Sequence, residues 1–186
     1  MGKILYFGYG AYRSRNKVLR ILGKEPVGGY GALLDGYQLA IEPLELVPEG
    51  LPKQILERIF GKSFRSYTIK KGEGLVAGVI WEFDDHDLKL AEAEFIGTWR
   101  ELVNIEVMLA NKQKVKAITD KIIKSDQLTE IADGLNYVDN LNMEKKGGNG
   151  GTGEDDEYKV QEIQRIKAEL EKLAGENHSP QVNLKN

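Results

Sequence analysis

Short apolar runs broken by glycine follow one another too closely in this chain to be joined by helices. Residues 3–9 (KILYFGY) form one aromatic, strand-like run that Gly10 ends. Residues 30–41 (YGALLDGYQLAI) read as strand, turn and strand, with Asp35-Gly36 as the turn. Residues 64–69 and 75–83 (LVAGVIWEF) read as two paired strands around a turn at Lys71-Gly72-Glu73-Gly74. Residues 102–109 and 115–118 flank residues 110–114 and suggest another hairpin. A parallel sheet needs crossovers of about a dozen residues or more between its strands. The spacing excludes repeated crossovers of that kind and predicts an α+β architecture, a small mixed β-barrel with flanking helices.

The helices carry their own start and stop signals. Val18, Leu19 and Leu22 share helical spacing over residues 14–22, with Ser14 as N-cap and Gly23 as the stop. Pro52 opens a short helix over residues 51–60, and Asp84 or Asp85 caps another over residues 87–94. Residues 128–141 are expected to hold a helix or two, interrupted at Gly134.

The chain divides near residue 145. Residues 1–145 hold seven of the eight tyrosines, both tryptophans and all five phenylalanines, and are read as one domain. Residues 146–157 follow as an acidic, Gly-rich linker. Its GGNGGTGEDDE stretch has five glycines and four acids, which bury no apolar surface and repel one another. Within residues 158–186, Ile163, Ile166, Leu170 and Leu173 make one apolar stripe on an amphipathic helix that Gly175 ends, followed by a disordered end. Self-association, or docking back on the body, is the expected use of that stripe.

Composition removes whole classes of chemistry. There is no cysteine in 186 residues, so disulfides, thiol nucleophiles and Cys-ligated metals are excluded. The two histidines, His86 and His178, are too few for a His-rich metal site. A net charge of −3 supplies no basic field for nucleic acid or an anionic membrane. No apolar run approaches the ~20 residues of a membrane span, so a soluble, cytoplasmic protein is expected.

Few residues remain that carry chemistry. Tyr9, Gly10, Ala11 and Tyr12 follow the first strand, where a glycine-broken turn leaves backbone N–H groups free to make an anion nest or oxyanion hole; a plain turn is the alternative. Glu92 and Glu94 stand in LAEAEFIGTW, and at most one of two helical positions two apart faces inward. A carboxylate beside Phe95, Ile96 and Trp99 is partly desolvated, which raises its pKa toward general acid–base work; a solvated helix end is the alternative. His86 in DDHD has no partner at a recognised ligand spacing. Gly28-Gly29 precedes a strand rather than a helix and reads as a flexible connection or bulge.

Four blocks together resemble the gamma-glutamylcyclotransferase-like family, also called AIG2-like. YFGYGAY is similar to its YFAYGSN strand and loop, and ILGKEPVGGYGALLDGYQLAI to its LGR-x-P…A-x-L-x-GY-x-L block. LVAGVIWEF is similar to its V-x-G-x-L-Y-E-L strand, and AEAEFIGTWRELVNIEV to its D-x-x-E-G…Y-R-R-x-x-V-x-V segment. Asn136-Tyr137-Val138 resembles its closing helix. The resemblance spans residues 3 to about 142.

It implies a small mixed barrel and an intramolecular reaction. The α-amine of a γ-glutamyl group attacks its own side-chain carbonyl, giving 5-oxoproline and a free amine or amino acid. By position, the resemblance makes Glu94 the general acid/base, with Glu92 in reserve, and makes Tyr9, Gly10, Ala11 and Tyr12 the substrate-binding loop. It implies a small γ-glutamyl substrate, no cofactor and no metal. Ala11 stands where the family has Ser, Ala91 where it often has Asp, and Phe95 where Gly follows the Glu. Those departures keep a second expectation open, an inactive small-ligand-binding or interaction module on the same fold.

Overall fold

Helix ends follow local chemistry in the computed structural model, which describes residues 2–93 and 99–142. Strand β1 (Ile4–Gly8) leads through a 3-10 turn (Gly10–Arg13) into helix α1 (Arg15–Leu22). The Ser14 side chain accepts from the Lys17 N–H, and Gly23 ends the helix at φ 65°. Helix α2 (Leu51–Phe60) begins with Pro52 in its first turn. Helix α3 (Asp85–Ala93) is capped by Asp84. The Asp87 N–H donates to Asp84 Oδ1 at 2.8 Å, and the Asp84 N–H donates back to Asp87 Oδ2 at 3.2 Å.

The other strands are β2 (Val27–Pro43), β3 (Arg65–Phe83), β4 (Arg100–Leu109), β5 (Lys114–Ile122) and the short β6 (Ile131–Ala132). Their order is β3-β1-β5-β4-β2, and β2 pairs back onto β3, which closes a five-stranded barrel with β6 added on the β2 edge. Only the β1–β5 pair is parallel among the described pairs, so the barrel is mixed. Its interior is filled by Phe7, Leu34, Leu39, Ile69, Val76 and Val107. Two further clusters lie outside it, one under α2 around Ala40, Leu44, Leu56 and Trp99, the other under α1 and α3 around Tyr6, Val18 and Trp81.

Three expectations are corrected. Residues 30–41 are not strand–turn–strand but part of the 17-residue β2. Residues 64–69 and 75–83 do not pair with each other; they are two parts of the 19-residue β3, and both pair with β2. The register shifts between Asp35 and Tyr37, opposite Lys71 to Leu75, so the long hairpin bends there instead of turning. The inward-facing parity changes across the bend, from Ala32 and Leu34 to Leu39 and Ile41 in β2, and from Tyr67 and Ile69 to Val76 and Ile80 in β3. A strand that changes parity at glycines carries the same sequence signal as two strands and a turn. The reading of Gly28-Gly29 as a bulge agrees with a second register shift, between Gly28 and Tyr30.

The third correction concerns residues 128–141, which hold no described helix. After a 3-10 turn (Ser125–Gln127) they contain β6 and then a strap of bends and turns, running on to Asn142, that bonds in turn to Ala77, Gly10, Arg13 and Arg65. Asp133 Oδ1 takes the N–H groups of Leu135 at 2.9 Å and Asn136 at 3.2 Å, and so offers the backbone a turn in place of a helix. The Gly134 carbonyl accepts from the Ala77 N–H at 2.8 Å. The linker and the apolar-striped tail lie outside the described residues.

Candidate active site

One end of the barrel gathers the C-termini of β1 and β5 with the N-termini of β3 and β4. A cavity of about 190 Å³ opens there. The loop Tyr9–Tyr12 forms one wall; Leu56, Phe60, Phe64 and Trp99 form an apolar wall opposite; strap residues from Asp139 to Asn142 complete the rim. A larger groove of about 720 Å³ runs beside β4, but its charged residues Asp35, Glu106, Lys114 and Lys116 are exposed, and none of the polar side chains that line it is buried. The smaller cavity has the polar groups held in place that specific binding needs.

The loop's shape follows from two glycines. A Cβ on Gly8 would lie 2.5 Å from the Tyr12 carbonyl oxygen, so only glycine lets the chain fold back that tightly. Gly10 takes φ 58°, a conformation that L side chains rarely adopt. The first 3-10 bond runs from the Tyr12 N–H to the Tyr9 carbonyl at 3.2 Å. The Gly10 and Ala11 amides therefore precede the turn's internal bonding. That of Gly10 donates to the Tyr137 hydroxyl at a long 3.4 Å. The loop is pinned from behind: the Trp81 indole donates to the Tyr12 carbonyl at 2.8 Å.

Beneath the loop lies a buried ion pair. Arg100 donates to Asp120 Oδ2, to Ser66 Oγ at 2.5 Å, to the Tyr67 carbonyl at 2.6 Å and to Tyr9 Oη at 3.4 Å. Asp120 also accepts from the Tyr6 hydroxyl at 2.7 Å, and its carbonyl accepts from the Tyr9 hydroxyl at 2.8 Å. Burial works against the Arg100 charge, but Asp120 more than offsets it, and the guanidinium stays above its ordinary value. Burial, with Asp120 adding to it, pushes the Tyr6 and Tyr9 hydroxyls up, so both are neutral donors. Burial also pushes Tyr137 up to about 12. Its hydroxyl donates to the Ala77 carbonyl at 2.5 Å, while Arg13 lies 3.8 Å over its ring and ties the strap to the loop.

All four residues expected in the loop, Tyr9, Gly10, Ala11 and Tyr12, line the cavity. Glu94 lies outside the described residues; it stands five positions before Trp99, which does line the cavity. Glu92 is exposed near the end of α3 and does not line it. His86 is exposed in the first turn of α3. Asp120, Ser66, Tyr67 and the strap were not read from the sequence. Asp120 left one signal there, a single acid between Ile118 and Ile122 on the same face of β5.

No family model matches the sequence, and no curated protein matches it. Solved structures do. One described as a gamma-glutamyl cyclotransferase aligns over 70% of this chain and 70% of its own, at 13% identity and a TM-score of 0.53. The chain has the gamma-glutamylcyclotransferase-like fold. A human protein described as uncharacterized aligns with this cyclotransferase-like barrel over 70% of this chain and 71% of its own, at 16% identity and the same TM-score of 0.53. No helix among the described residues is long and apolar enough to cross a membrane.

Proposed function

We propose that the protein is a γ-glutamyl cyclotransferase acting on a γ-glutamyl amide or dipeptide. The observation that carries this reading is the cavity that the Gly10–Tyr12 loop and Trp99, five residues after Glu94, line together at one end of a cyclotransferase-like barrel. In the proposed reaction Glu94 takes a proton from the substrate ammonium. The freed amine attacks the γ-carbonyl carbon and closes a five-membered ring, a geometry that itself supplies high effective molarity. The loop amides receive the developing oxyanion. Glu94 then gives its proton to the leaving nitrogen as the amide C–N bond breaks, releasing 5-oxoproline and an amine. Ala11 contributes only its backbone N–H to this scheme, so the absence of a serine hydroxyl leaves it intact.

The test is 5-oxoproline release from a panel of γ-glutamyl amides and dipeptides, comparing wild type with Glu94→Gln. The expected result is turnover by wild type that falls by about 10²–10⁴-fold in the variant. Full activity in Glu94→Gln would remove Glu94 from the mechanism. No release by folded wild-type protein from any panel member would leave a ligand-binding module on this fold.

A further inference from the structure

Trp99 also lines a second cavity, of about 310 Å³. This one lies between the 3-10 turn Leu44–Leu46, the start of α2 and the end of β5. Its floor holds Ile122, Trp99 and one buried carboxylate, Glu42, and its mouth is lined by the exposed Leu46, Pro48, Glu49, Ile123 and Lys124. Glu42 follows Leu39, Ala40 and Ile41 in β2 and is 3% exposed. Leu39 and Ile41 fill the barrel, whereas Ala40 belongs to the cluster under α2, so strand alternation places Glu42 on that outer, covered side.

An apolar residue would suit this position better. A buried carboxylate is costly unless its oxygens are bonded and its charge is paired. Glu42 has half of that: Oε2 accepts from the Trp99 indole at 3.0 Å. Among the described residues the other oxygen has no hydrogen-bond donor. Burial holds the carboxyl above its ordinary 4.5, against the indole bond and the field of Arg100, whose own charge is matched by Asp120. The other charged groups lining the cavity are Glu49, which is exposed and pairs with Lys53, and Lys124, which is exposed. Among the described residues, Glu42 therefore supplies the one buried charge of this cavity and an acceptor with no donor.

We propose that this cavity binds a small apolar primary amine, with its ammonium on the free Glu42 oxygen and its hydrocarbon body against Ile122, Pro52 and Leu46. A mostly apolar cavity with one placed polar group is the usual form of a small-ligand site. The carboxylate repels anions. A neutral ligand fills the space but leaves the carboxylate unpaired. This site stands on Glu42 and its cavity, independently of the cyclotransferase reaction.

The test is methyl NMR of the full chain, labelled at Ile and Leu and titrated with benzylamine and with benzyl alcohol, its neutral isostere. Benzylamine is expected to shift the Leu46, Ile122 and Ile123 methyls saturably and to leave Leu56 and Leu141, which line only the first cavity, in place. Benzyl alcohol should bind about tenfold more weakly or worse, because a hydrogen bond between charged groups is lost. In Glu42→Gln the two ligands should bind alike. Equal binding of the two by wild type overturns the proposal, as does a response confined to Leu56 and Leu141 or no saturable shift. If Glu42→Gln does not fold, the wild-type comparison decides alone.

Discussion

Arg100 meets its partners because β4 and β5 set it diagonally to Asp120: Leu102 pairs with Asp120 while Arg100 pairs with Ile122. Both members are buried, so attraction between them is largely offset by the cost of removing them from water. The pair therefore matters for where it holds the loop and the start of β3, more than for net stability. Removing one partner is different, because it strands a charge. Asp120→Ala is expected to lower unfolding free energy by about 3–5 kcal/mol, since the guanidinium would then face only hydroxyl and carbonyl groups. The double variant Arg100→Met/Asp120→Leu should recover most of that loss. Urea denaturation measures both. A cost below about 1 kcal/mol for Asp120→Ala would mean that the pair is screened like a surface bridge.

At the scale of the element, α3 shows how much a local cap decides. Its N-terminus is closed by Asp84 and Asp87 reciprocally. The hydrogen bond from the Asp87 N–H holds the Asp84 carboxyl below its ordinary 3.8. A carboxyl whose folded pKa lies below its unfolded one stabilises the fold above the unfolded value, and that contribution disappears as pH falls through the folded value. Asp84→Asn keeps an acceptor and loses the charge. Its melting temperature should lie below that of wild type at neutral pH and converge on it as pH falls below 3.8 and through the folded value. Asp133 is depressed in the same way but is present in both proteins, so it cancels in the difference. A difference that does not change with pH would show that the charge of Asp84 plays no part. The same locality made the helices readable: Ser14, Gly23, Pro52 and Asp84 act within one turn of chain. The long strands were not readable, because the bend at Asp35–Tyr37 exists only where β2 and β3 meet.

At the scale of the molecule, the site was legible where a single stretch builds it and hidden where the fold does. The Tyr9–Tyr12 loop is local and was visible; Asp120 and Asn142 arrive from distant sequence when the barrel closes. Asn142 accepts from the Arg65 N–H at 3.0 Å and donates to the Arg65 carbonyl at 3.1 Å, which fastens the end of the strap to the start of β3. The stretch that follows this clamp, residues 146–157, is rich in glycine and acid and has no large apolar side chain to transmit packing to what lies beyond it. We therefore expect a chain lacking residues 147–186 to keep its fold, with a melting temperature within about 2 °C of the full chain. The body does leave large apolar side chains open, with Leu75 38%, Ile131 44% and Leu135 47% exposed, and the tail carries a stripe of Ile163, Ile166, Leu170 and Leu173. If that stripe packed on the body, its four large side chains would contribute several kcal/mol, and truncation would lower the melting temperature by roughly 5 °C or more. Such a drop would make residues 158–186 part of the core and end the division of the chain near residue 145. An unchanged melting temperature, with the truncated chain alone losing a concentration-dependent dimer in sedimentation, would assign the stripe to self-association instead.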